Sequence, residues 1–488
     1  LSRRHRNQVS VSNHNSLSEP DTLVPSNPES PVTVSISLSE CINYASWQNS
    51  VPFLRSLVIR NNGNETLSNL QLELQIQPGF ARPRRWQIER ISPGTELAIA
   101  DRNIELDAAY LNGLNEAERG QVQLLLRCGD YIIATQSHEI RILARDEWGG
   151  FGSMSELLAA FVMPNDPAVA KIMKTAGEVL TAHGHSSALD GYQSRDPRRA
   201  FMLTAAIWSA IAGERLTYSN PPRSFESTGQ KTRRPSTVIS DGLATCLDTT
   251  LLFAAVIEAV GLNPIAIFQD GHCFAGVWLV EKTFNTMVEK DITEVRKAIA
   301  ARELLVFETT LITGRPPATF EDAKRTAESA LGASKEERFV AAIDFMRARM
   351  AQIRPLASHD TSANARDEVG DVRVALPLPK MPDFSQIPID NAEEKPTTPA
   401  GRIERWQRKL LDLSLRNRLL NFKASKQSVP FLCPDVPALE DRLASGSKLR
   451  IVSLTEHNPI GDRDAALHYQ KTRKDLDSEF AISALERG

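Results

Sequence analysis

The sequence predicts a multidomain chain: an all-β sandwich, then an α+β domain, then the start of an α-rich module. Three observations predict it. Short runs of alternating apolar residues fill 31–145, apolar residues at helical spacing dominate from 151 onward, and a proline-rich polar stretch at 353–400 precedes a last helical run. A length of 488 residues agrees with this division, because roughly 150 residues per domain suggests about three units.

Bulk properties narrow the function classes. With 41% hydrophobic and 24% charged residues the chain reads as soluble and globular. A net charge of −3 gives no global attraction to nucleic acid or to an anionic membrane, so any such affinity must be local. Cys41, Cys128, Cys246, Cys273 and Cys433 are few, scattered and odd in number, which argues against a disulfide framework and for a reducing, cytoplasmic location. The opening LSRRHRNQVSVSNHNS lacks the apolar core of a signal peptide. The longest apolar stretch, near 249–262, is short and interrupted by Glu258, so no membrane span is expected. The initial Leu1 and the helix-like ending ISALERG are expected of a piece of a larger chain.

Residues 1–30, rich in Ser, Asn and Pro, are expected to be disordered. In PVTVSISLS, Val32, Val34, Ile36 and Leu38 share one face of a strand; in LQLELQI, Leu70, Leu72, Leu74 and Ile76 do the same. Further strand-like runs are 54–60, 121–127, 131–134 and 139–144, separated by turns such as NNGN (61–64) and SPGT (92–95). Many short strands without intervening helices predict a β-sandwich of immunoglobulin-like size over 31–145, closed by RDEWGG (145–150). Helical spacing follows in ELLAAFVM, AVAKIMKTAGEVL and RAFMLTAAIWSAIAG (199–213), a mixed helix–strand region in 235–313, and helices again in EDAKRTAESAL and KEERFVAAIDFMRARM (335–350), giving an α+β domain over 151–352. Pro355, Pro377, Pro379, Pro382, Pro388, Pro396 and Pro399 mark 353–400 as a linker, and 401–488 begins an α-rich module. No internal repeat has a solenoid period.

The chemistry is concentrated in 235–280. Thr245 and Asp248 have capping-box spacing, so Thr245 caps a buried helix through Leu251, Leu252, Ala255 and Ala259 that ends at Gly261. Cys246 then falls in the first turn, where unpaired N–H groups and the helix dipole favour a thiolate. IAIF (265–268) reads as a strand, Gln269–Gly271 as a turn and HCFAGVWLV as the next strand, which His272 begins 26 positions after the cysteine. A third run, ELLVFETTLIT (303–313), carries Glu308. Cys246 as nucleophile, His272 as base and Glu308 as the group orienting the imidazole form a triad suited to attack on an amide carbonyl, with water or an amine resolving the acyl-enzyme.

Each residue alone reads differently. A cysteine at a helix start is usually core packing, and a lone strand histidine is usually structural. Asp291, at a helix start, reads as a cap, and Asp270 as a solvated turn residue. Cys246, His272 and Cys273 lack zinc spacing, and Cys273 should face away from His272 on a strand, so no metal and no cofactor is expected. His183 and His185 read as an exposed loop.

Taken together, GLATCLDTTLLFAAVIEAVGLNPIAIF and GHCFAGVWLV resemble the transglutaminase-like, papain-fold superfamily over roughly 200 residues. The resemblance implies a thiol protease, amidase or acyl transferase acting on a protein or peptide amide. Two departures stand out: Glu308 replaces the usual aspartate, and it lies 36 positions after His272, with 281–302 read as a small helical excursion. By analogy with a papain-like glutamine, Gln230 is a candidate donor to an oxyanion, against the plainer reading of a surface-loop glutamine.

In RIERWQRKLLDLSLRNRLLNF (402–422), Ile403, Trp406, Leu410, Leu413 and Leu420 form one helical stripe. Arg402, Arg405, Arg408, Lys409, Arg416 and Arg418 surround it, either solvated on a packed helix or contacting nucleic-acid phosphates. LLDLSLRNRLLNF followed by SKQSVPFL resembles the opening of a domain of unknown function that precedes the superfamily-1 helicase core, and often a nuclease domain, of large bacterial proteins. The preceding regions resemble the N-terminal parts of the same proteins, which are linked with DNA processing and defence. No Gly-x-x-x-x-Gly-Lys-Ser/Thr motif occurs in the sequence, so helicase activity is not assigned to these residues. Against the cysteine-enzyme reading stands a catalytically silent scaffold or sensor module of such a protein.

Overall fold

The computed structural model describes residues 31–357, 377–382, 384, 431–432, 450–453 and 466–469. The chain divides into two compact units, Leu1–Pro388 and Ile389–Gly488. The first opens with two sheets. Strands β1 (Val32–Leu38), β2 (Cys41–Ile42), β3 (Leu54–Asn61), β4 (Leu67–Gln77), β5 (Arg84–Ile91), β6 (Glu96–Ala98), β7 (Glu118–Cys128) and β8 (Tyr131–Ile142) are joined by turns and the short helices α1 (Tyr44–Gln48) and α2 (Ala108–Gly113). One sheet has the order β1-β3-β6, the other β2-β8-β7-β4-β5. Leu57 and Ile59 from the first and Leu72, Leu74, Leu124 and Leu126 from the second enter one core, because period-two spacing puts them all on inward faces.

Here the sequence reading needs two corrections. The runs at 131–134 and 139–144 are one strand, paired along its length with β7 from Glu118–Ile142 to Cys128–Tyr131. Its polar middle, Thr135–Glu139, hid the continuity, since one side of the strand carries few apolar residues. The expected absence of helices is also wrong in detail: Asn43 and Asp107 each cap a single helical turn, too short for periodicity to reveal.

The same unit continues through β9 (Glu147–Trp148), a 3-10 turn at Glu156–Phe161, α3 (Pro167–Ala182), α4 (Pro197–Ala212), β10 (Thr217–Tyr218), α5 (Phe225–Thr228), β11 (Gln230–Lys231), α6 (Pro235–Asp241), β12 (Leu243–Ala244) and α7 (Cys246–Ala259). It closes with β13 (Pro264–Gln269), β14 (His272–Trp278), β15 (Val288–Glu289), α8 (Ile292–Ala300), β16 (Leu304–Phe307), α9 (Phe320–Ala330), β17 (Phe339–Asp344) and α10 (Phe345–Met350). An antiparallel sheet of order β15-β17-β13-β14-β16 backs the buried α7, and Trp208 of α4 stacks on Phe253 of α7 with ring centroids 5.6 Å apart. The fold is therefore mixed α and β.

The helical reading of 335–350 fails in its middle. Phe339–Asp344 is a strand paired with both β13 and β15, set between a 3-10 turn at Ala333–Arg338 and the helix Phe345–Met350. A short run such as FVAAID fits either state by periodicity, and the open edge of β13 decides it. Composition also placed the linker's start at 353, yet Ile353 and Leu356 are buried, Leu356 N donates to Ala160 O at 2.7 Å, and the Gln48 amide clamps Pro355 O at 2.6 Å and Ala357 N at 3.0 Å.

In the second unit, β18 (Phe431–Leu432), β19 (Arg450–Ser453) and β20 (Ala466–Tyr469) form a sheet of order β18-β20-β19. Its described residues are thus strands, where helices were expected. The expected helix at 402–422, with Arg402, Arg405, Arg408, Lys409, Arg416 and Arg418, lies outside the described residues, as does the segment 1–30. Among the described residues no helix is long and apolar enough to cross a membrane.

Candidate active site

The capping box forms as spaced: Thr245 Oγ1 accepts from Asp248 N at 3.2 Å, and Asp248 Oδ2 accepts from Thr245 N at 2.9 Å. This fixes Cys246 as the first residue of α7, with its backbone N–H among those that have no partner inside the helix. The antiparallel pair β13–β14 turns at Gly271, whose φ of +67° suits glycine, and delivers His272 to the start of β14. Strand β16 ends at Phe307, so Glu308 sits just beyond it as the cap of a 3-10 turn.

These ends converge. His272 Nε2 meets Glu308 Oε2 at 2.7 Å, and the His272 ring hydrogen-bonds the Cys246 thiol. With Nε2 taken by the carboxylate, Nδ1 is the nitrogen left for sulfur. The other carboxylate oxygen, Oε1, accepts from Thr310 N at 3.0 Å and Thr310 Oγ1 at 2.7 Å, which locks Glu308 in place. The structure therefore brings Cys246, His272 and Glu308 together.

Electrostatics set the proton positions. A hydrogen bond from the Cys273 thiol draws the Cys246 thiol down to about 6, with His272 assisting and burial opposing. Burial resists charge on His272, but bonding to Cys246 and Glu308 outweighs it and raises the ring to about 10. Burial likewise opposes ionisation of Glu308, yet His272 and Thr310 hold its carboxyl below the ordinary value. Near neutral pH the pair is thiolate and imidazolium, with the carboxylate behind it.

Gln230 is not on the surface. It is 4% exposed on β11, and its Nε2 donates to Thr245 Oγ1 at 3.0 Å, one residue from Cys246. Its Oε1 is buried and lacks a hydrogen-bond partner. The segment after it clamps the same helix tip: Arg233 N donates to Asp248 Oδ1 and Arg233 Nη1 to Asp248 Oδ2, both at 2.7 Å.

Three site residues escaped the sequence reading. Tyr218, on β10, reaches Cys246 because β10 pairs in parallel with β12, which ends two residues before it. Its hydroxyl bonds Cys246, and burial together with the neighbouring Cys246 raises its pKa. Cys246 is 0% exposed, while Tyr218 beside it is 36% exposed. Cys273, expected to face away from His272, also reaches Cys246, because the helix tip lies against the first two residues of β14 and meets both. Thr310 could have been found from the cap spacing of Glu308 two residues before it, whereas no spacing linked Tyr218 to Cys246.

The rival acids take other roles. Asp291 caps α8 through Thr293 N at 2.8 Å, and Asp270 is exposed, its backbone N–H bonded to Arg338 O. His183 and His185 lie on an exposed stretch after α3. Among the described residues no group of three His, Cys, Asp or Glu side chains is arranged to hold a metal ion.

Residues 409–487 match a family described as a protein of unknown function (DUF4011). No curated protein matches the chain.

Proposed function

We propose that residues 151–352 form a transglutaminase-like, papain-fold thiol domain that transfers the acyl group of a protein or peptide amide. One observation carries the reading: the 2.7 Å bond from His272 Nε2 to Glu308, on a ring whose other side bonds Cys246. The Cys246 thiolate attacks the amide carbon, the C–N bond breaks, and His272 gives its proton to the departing amine. Water or a second amine then takes the acyl group from sulfur.

The tetrahedral intermediate needs donors for its oxyanion. The Cys246 backbone N–H at the tip of α7 is one, and Gln230 is the second. The ends of its amide are nearly the same shape. Turned over, the amide lets the Thr245 hydroxyl donate to Oε1, satisfying that oxygen, and frees both N–H groups of Nε2 for the intermediate.

The 409–487 match supports placing this domain in a larger bacterial DNA-processing or defence protein of helicase–nuclease type, behind an immunoglobulin-like sandwich. In that setting Arg402, Arg405, Arg408, Lys409, Arg416 and Arg418 contact nucleic acid. One observation favours the silent-scaffold reading instead: Cys246 is fully covered. Alkylation of Cys246 by iodoacetamide across pH decides between the readings. A rate rising through about 6 to a plateau supports the enzyme; a rate that follows an ordinary free thiol removes it.

A further inference from the structure

Beyond easing the ionisation of Cys246, Cys273 is a second, fully buried thiol at the same helix tip. Thr250 holds it there: the Thr250 hydroxyl donates to Cys246 O at 2.8 Å and lies 3.7 Å from Cys273 Sγ. The two sulfurs come from different elements, the tip of α7 and the start of β14, so nothing in local chain geometry forces the pairing.

We propose that Cys246 and Cys273 are a peroxide-reactive pair, in which Cys246 is oxidised and Cys273 resolves it as an intramolecular disulfide. The Cys246 thiolate attacks one peroxide oxygen, the O–O bond breaks, and sulfur keeps that oxygen as a sulfenic acid while the other leaves as water with the proton of the His272 imidazolium. The Cys273 sulfur then attacks Cys246, the S–S bond forms, the S–O bond breaks, and a second water leaves carrying the Cys273 proton. Two thiols lose two electrons and the peroxide gains them. A disulfide is about 2.05 Å long, and Thr250, bonded to Cys246 O and 3.7 Å from Cys273 Sγ, ties the two residues to one spot where that bond can close. The bond removes the nucleophile reversibly and shields it from irreversible oxidation.

The proposal rests on the activated-thiol reading of Cys246. The full chain, reduced and then treated with one equivalent of hydrogen peroxide, is expected to lose two hydrogens and yield a Cys246–Cys273 cross-linked peptide. Cys246 alkylation should be lost and should return with a dithiol. In Cys273→Ser, Cys246 should instead be trapped by dimedone as sulfenic acid and proceed to sulfinic acid. Tyr218→Ala, which removes the part-exposed phenol beside the sulfur, should oxidise faster to the same cross-link. Sulfinic acid at Cys246 with Cys273 still free in the native chain overturns the proposal, as does a cross-link to Cys41, Cys128 or Cys433, or no oxidation even in Tyr218→Ala. The two readings fail separately: slow alkylation of reduced Cys246 removes acyl transfer, whereas fast alkylation without the cross-link removes the disulfide.

Discussion

His272 and Glu308 share a 2.7 Å hydrogen bond although 36 residues separate them, and Thr310 holds the carboxylate from its far side. The imidazole is thereby fixed in orientation before any substrate arrives, which is what a base must have to act on a sulfur at its other nitrogen.

Removing the imidazole tests that role. His272→Ala should lower acylation of Cys246 by roughly 10²–10⁴-fold, the usual contribution of a positioned acid–base group. Single-turnover acylation by an activated ester measures it, and a loss below about threefold argues that the sulfur works alone.

The pH profile has a defined sign. Thiolate is present above the lowered Cys246 value of about 6, and His272 keeps its proton below the raised value of about 10, so acyl transfer should be supported between those limits. Cys246 and Glu308 together raise His272, and Glu308→Gln removes the second of them. Its alkaline limit should therefore move to lower pH, and an unmoved limit in kcat/KM profiles would show that Glu308 does not tune the ring.

Tyr218 makes a prediction about access. Tyr218→Ala should accelerate alkylation by a bulky maleimide more than by iodoacetamide if the half-exposed phenol beside the buried sulfur is its cover. Equal acceleration of both would assign the effect to sulfur chemistry rather than to cover.

The cap on α7 contributes stability as well as placement. Thr245→Ala removes the acceptor for Asp248 N and for Gln230 Nε2, and loss of an N-cap costs about 0.5–2 kcal/mol. Urea unfolding of the full chain measures it, and Thr245→Ser should restore most of the loss.

The nucleophile's helix was legible because each cue for it is local: a capping box, an apolar run and a terminal glycine lie within Thr245–Gly261. The turn before His272 was legible for the same reason. Tyr218, Cys273 and Arg233 were not, because their approach to Cys246 and Asp248 depends on a parallel strand pair, on helix-to-sheet packing and on a clamp across fifteen residues. The strand at 339–344 was hidden differently, since FVAAID becomes a strand only where β13 offers it an unpaired edge.

The two-residue ladder between β9 and β11 has a practical consequence. It pairs Trp148 with Gln230 and Glu147 with Lys231, while Gly229 lies so tightly against the Trp148 carbonyl that no side chain fits between them. Lys231 also bonds Asn115 O and Glu116, and Thr232 bonds Asp146 O. A truncation that starts at residue 151 would thus sever the backbone support of the glutamine beside the nucleophile. The loss would surface as a catalytic defect even in a product that remains folded.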